Sequence, residues 1–147
     1  MSELHSGREG MERRKPGVLP QVGIAAACAR WFAPWWPHLF VLALTGVSVF
    51  ALWPGDARPP SLFGWHVINH IFAFLVLTML ARAAWPHIRR IWLFLALMAF
   101  GGLIELLQAL PLINRTASLA DWVTDAIGIA IGLVLVWIAG QLAGEPW

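Results

Sequence analysis

Four apolar stretches, about Trp35–Trp53, Trp65–Trp85, Ile91–Leu110 and Trp122–Ala143, leave this chain few folds to choose from. Each is near the ~20 residues that a helix needs to cross a ~30 Å hydrocarbon layer at about 1.5 Å per residue. Pro54 with Gly55, Pro86 and Pro111 follow the first three, where a helix is expected to stop. Only 12% of the 147 residues are charged and 59% are hydrophobic, whereas a soluble domain carries about 25% charged residues. That much polar surface cannot solvate a globule, so a compact water-soluble enzyme is excluded, and so is disorder of the chain as a whole. The single cysteine, Cys28, excludes a disulfide framework and a multi-cysteine zinc site. The expected fold is all-α, an integral membrane four-helix bundle. Residues 1–34 form a short polar cytoplasmic tail and an interfacial segment, and residues 35–147 form the four-span membrane domain.

Tryptophan and arginine set the frame. The chain has ten Trp and no Tyr, and indoles favour the headgroup boundary. Trp53, Trp65 and Trp122 mark one interface, and Trp35, Trp36, Trp85 and Trp92 the other; Trp137, within the fourth span, is read as core packing. Arg8, Arg13, Arg14, Lys15 and Arg30 precede the first span, and Arg82, Arg89 and Arg90 separate the second from the third. The opposite side has Arg58 and Arg115. The positive-inside rule then places both termini in the cytoplasm, and an even number of spans agrees. The basic tail suits anionic lipid of the inner leaflet, and nothing favours nucleic acid as a partner.

An ionisable residue inside a span costs at least ~2.5 kcal/mol, so each needs a partner or a purpose. His70, Glu105 and Asp125 come from three different spans, yet all lie roughly 5–8 Å inside the same, outer boundary at the helical rise. His66 and His70 share a stripe of the second helix, and Glu105 and Gln108 share one on the third. Asp121, Asp125, Gly128 and Gly132 share one on the fourth, where Gly128-x-x-x-Gly132 allows close helix approach. Arg115, in the loop above this layer, is the natural counter-ion, but one cation faces three acids. His70, Glu105, Gln108, Arg115, Asp121 and Asp125 are therefore the candidate ligand-binding residues. Structural readings compete: Ser118-x-x-Asp121 suits a capping box, and a closed ion-pair network could serve only to fix the bundle.

These residues carry a resemblance. Gly102-Leu-Ile-Glu105-Leu-Leu-Gln108, Asn114-Arg115-Thr-Ala-Ser118-Leu-Ala-Asp121 and Asp125-Ala-Ile-Gly128 with Gly132 resemble the VanZ-like family of membrane proteins. Asn69-His70-Ile-Phe-Ala-Phe is similar to that family's second-helix signature, and the likeness covers roughly residues 64–135. The family commonly has Asp-Lys shortly before the His, where this chain has His66-Val67, and Asn where it has Asp125. The resemblance implies a bacterial cytoplasmic (inner) membrane protein with an envelope role, linked to teicoplanin-type glycopeptide antibiotic resistance.

Two functions from different classes follow. The first is binding of an amphipathic envelope component, a membrane lipid or lipid-linked precursor, at an outward-facing polar site. Arg115 would meet phosphate, and Glu105 with Asp125 would hold an amine or cation. The second is metal-assisted hydrolysis or transfer on a lipid-linked substrate, with His66 and His70 as ligands. The sequence requires no metal or other cofactor. Transport fits poorly, because the polar groups stop near the outer third; homo-oligomers are left open.

Overall fold

The computed structural model describes residues 33–53, 66–113 and 118–144. The tail, Trp65 and Arg115 lie outside them. A 3-10 turn, Ala33–Trp35, leads into α1 (Trp36–Ala51), followed by α2 (His66–Ala84), α3 (Arg90–Gln108) and α4 (Leu119–Ala143). Including that turn in the first, all four are long and apolar enough to cross a membrane. The fourth starts three residues before the apolar stretch does, because Ser118 caps it: its Oγ accepts the N–H of Asp121 at 3.3 Å. At the other end, Gly144 takes φ 69°, a left-handed conformation suited to glycine, and stops the helix.

Side-chain contacts fix the up-and-down order. Phe40 of α1 meets Trp85 at the end of α2, the rings 5.2 Å apart and nearly perpendicular, so α1 and α2 are antiparallel. Gln108 at the end of α3 reaches the carbonyl of Ala51 at the end of α1, so those two run parallel. The α2–α4 packing is the most extensive in the bundle, and it is parallel. Gly128 lies against Ile71 and Phe74, and Gly132 against Leu75 and Thr78. A Cβ added at Gly128 would come 2.6 Å from the Ile71 carbonyl oxygen. The small-residue stripe thus sets the helix separation.

The exterior is apolar, unlike that of a soluble bundle, and the interior mixes apolar and polar groups. Phe74, Leu77, Ala81, Leu93, Leu97 and Ile129 form a small apolar core, and Thr78, Arg82, Glu105, Gln108, Thr124 and Asp125 are buried beside it. Leu42, Leu106, Val134 and many other large apolar residues face outward. Trp137 is among them, 45% exposed, which corrects its expected place in the core. Hydrocarbon solvates a bulky indole well enough, so apolarity alone does not pull it inward. Hydroxyls inside the spans are satisfied within their own helices: Thr45, Ser48, Thr78 and Thr124 donate to carbonyls one turn back, at 2.6–2.8 Å. By position in the sequence Arg82 is only a topology marker. It is buried, and its guanidinium donates to the Ile88 carbonyl at 2.7 Å, closing the connection between α2 and α3.

Gly128→Ala should lower stability by about 1–3 kcal/mol, because its methyl meets backbone rather than a side chain that can turn away. Gly46→Ala on α1, with nothing within 4 Å of the added Cβ, should raise stability by about 0.5–1 kcal/mol through helix propensity. Unfolding of both variants in detergent checks the contrast.

Candidate functional site

The first turns of α2 and α4 face each other in register. His66 pairs with Asp121 and His70 with Asp125, each pair 55 positions apart in sequence. The ladder exists because histidines four apart on α2 meet carboxylates four apart on a parallel α4. Its rungs differ. Nδ1 of His70 lies 2.7 Å from Oδ1 of Asp125, a hydrogen bond, whereas Nδ1 of His66 is 3.3 Å from Oδ1 of Asp121, an ion-pair distance. The imidazole rings are 4.7 Å apart and tilted by 36°.

Burial increases along the ladder. Side-chain exposure falls from 36% at His66 through 16% at Asp121 and 14% at His70 to 2% at Asp125. Asp125 can sit so deep because two glycines make room for it. Gly128, one turn on, lets α4 close on α2, and Gly101 of α3 leaves a slot for the carboxylate: a Cβ there would come 2.6 Å from Oδ2 of Asp125. The adjacent Gly102 instead faces the Trp122 indole, which donates to the Met98 carbonyl at 2.9 Å and clips α4 to α3. The sequence motif begins at Gly102 and gives no sign of Gly101, since nothing in the spacing tells two neighbouring glycines apart.

Glu105 enters the layer from α3. Its Oε2 accepts the backbone N–H of Ser118 at 2.6 Å, and its Oε1 is buried with no hydrogen-bond partner among the described residues. In a capping box, the acid at the third helical position would take that N–H itself. Here Ser118 supplies the cap to Asp121, but the returning acid is Glu105 of another helix, and the Asp121 carboxylate is aimed at His66 instead. The capping expectation is therefore half met, and the half that fails is what releases Asp121 to the polar layer.

Of the candidate residues, His70, Asp121 and Asp125 are joined through the His–Asp ladder, and Glu105 reaches it through Ser118 and the start of α4. Gln108 is buried, and its amide Nε2 donates to the Ala51 carbonyl at 2.9 Å, satisfying a helix end that lipid could not. Arg115 falls outside the described residues. His66, which the sequence offered only as a metal ligand, belongs to the layer: His66, His70 and Asp121 each present a ligand atom within 4.8 Å of the others. Chemically, the layer offers carboxylate acceptors and imidazole nitrogens to a cation, an amine or a metal ion.

Residues 18–140 match the family described as VanZ/LLP1, a span that contains α1 to α3 and most of α4. The match extends well beyond the stretch at 64–135 that carries the resemblance. No curated protein and no solved structure gives a significant match.

The two rungs should respond differently to truncation. Asp125→Ala leaves His70 facing a buried gap, with an expected loss of about 3 kcal/mol or more. Asp121→Ala, at the more exposed rung, should cost about 1 kcal/mol or less. Denaturation of the two variants in detergent, side by side, measures the difference.

Proposed function

We propose a ligand for this polar layer from the premise that the chain belongs to the VanZ/LLP1 family. It is a multi-pass membrane protein with four candidate spans. In our reading the layer faces away from the cytoplasm of a bacterial inner membrane, since Arg89 and Arg90 stand at the opposite end of the bundle. There it binds the headgroup of an amphipathic envelope component, a membrane lipid or a lipid-linked precursor, in the service of the envelope response to glycopeptides. The role is binding, without a reaction.

Glu105 carries this reading. A carboxylate at this depth is costly, and one of its oxygens is buried with no partner among the described residues. Leaving a buried charged acceptor unsatisfied costs at least ~1–3 kcal/mol, a penalty that an N–H donor from a headgroup amine would remove. Asp125 lies against the same end of α3 at Gly101 and adds a second negative group. Arg115, three residues before the Ser118 that bonds Glu105, supplies the phosphate contact in this reading.

Glu105→Gln is the informative substitution. Its carbonyl can still accept from Ser118, so the start of α4 is kept, while the charge and the unpartnered acceptor are lost. Native mass spectrometry of wild type and variant, released from vesicles of bacterial lipid extract, should show retained lipid weakened by about tenfold or more, the equivalent of one charged hydrogen bond. Arg115→Ala should weaken phospholipid retention without lowering the unfolding temperature. Equal retention by wild type and Glu105→Gln would refute the reading.

A further inference from the structure

The His–Asp ladder has two rungs of different length, and the difference separates a ligand set from its support. Donor atoms bound tetrahedrally to zinc at about 2.0–2.1 Å lie about 3.4 Å from each other. The 3.3 Å between Nδ1 of His66 and Oδ1 of Asp121 matches that edge. The 2.7 Å between His70 and Asp125 is too short for it and is a hydrogen bond. A proton on the bonded Nδ1 would leave the Nε2 lone pair for a metal ion, the usual relation between a ligating histidine and its supporting carboxylate.

We propose that His66, His70 and Asp121 form a binding site for a divalent transition-metal ion of the zinc class, with Asp125 as the positioning residue behind His70. One ligand atom from each of the three lies within 4.8 Å of the other two. The donor set selects the ion: two imidazoles and one carboxylate suit zinc and its neighbours, whereas calcium and magnesium take oxygen ligands. Charge points the same way. Glu105, Asp121 and Asp125 gather at this end, three acids that outnumber Arg115, the one cation of the sequence between α3 and α4. A dication compensates these carboxylates without requiring protonated histidines. The exposure gradient leaves His66 and Asp121 toward the surface, so an ion can enter from water and keep a coordination position open. Because the ligands come from α2 and α4, the ion also ties the starts of these two helices together. Occupancy does not depend on whether a lipid binds.

The test uses the full chain, purified in detergent, stripped with EDTA and titrated with zinc chloride by calorimetry. Metal content is measured after gel filtration. The wild type should retain about one zinc per chain and unfold at a higher temperature when loaded. His66→Gln and Asp121→Asn should each weaken binding by about tenfold or more. Neither substitution is expected to disturb the fold: the His66 side chain is partly exposed, and the Asp121 cap uses only its backbone N–H. Asp125→Asn should weaken binding by about 10- to 100-fold through the orientation of His70. His87→Gln, an exposed histidine at the other end of the bundle, should bind zinc like wild type. Zinc well below one per chain in loaded wild type, or wild-type affinity in both His66→Gln and Asp121→Asn, would overturn the site. So would an equal loss in His87→Gln, which marks non-specific imidazole binding.

Discussion

The close approach of α4 to α2 is the constraint on which the rest of this molecule depends. At Gly128 and Gly132 the α4 backbone lies so near Ile71, Leu75 and Thr78 that even a methyl group has no room. In lipid there is no hydrophobic drive to bring helices together, so van der Waals contact between small residues has to do it. The same approach, one and two turns toward the helix starts, brings Asp125 against His70 and Asp121 against His66. Packing and polar chemistry are consecutive turns of one helix face.

The polar layer survives in an apolar surrounding because its most costly members are enclosed by protein. Asp125 is nearly inaccessible, shut in by His70, Gly101 and the crossing of α2 with α4. Glu105 replaces the acid that a capping box would have drawn from α4 itself, and so connects α3 to the start of α4. Gln108 does the same for the end of α1. Two helix ends are thereby held by side chains from a neighbouring helix, which matters where water is scarce. At the opposite end, Arg82 plays a comparable part for the turn between α2 and α3.

The layer is graded in its burial. A closed network would bury all its members alike and satisfy every oxygen. Here exposure rises from Asp125 to His66, and one Glu105 oxygen is buried without a partner among the described residues. The arrangement has a sealed end at Asp125 and a more accessible end at His66. A headgroup and a metal ion make different demands on it. The proposed headgroup would draw on Glu105 from α3, and the proposed ion on the facing turns of α2 and α4.

The sequence by itself determined the architecture. Apolar runs of membrane length, stopped by proline and glycine, can form little else, because backbone N–H and C=O groups in hydrocarbon must be satisfied within the segment. It also determined that acids and imidazoles would share one depth, since depth along a helix follows from counting residues at a fixed rise. Rotation about each helix axis, and which helix neighbours which, came only from the tertiary structure. Periodicity could put Asp121 and Asp125 on one stripe but could not say that the stripe would meet His66 and His70 with rungs of unequal length. It could not separate Gly101 from Gly102, aim Glu105 at Ser118, send Gln108 to Ala51, or turn Trp137 outward. Those outcomes depend on ångström-scale packing between residues distant in the chain, and a one-dimensional pattern of apolar and polar positions carries no record of it.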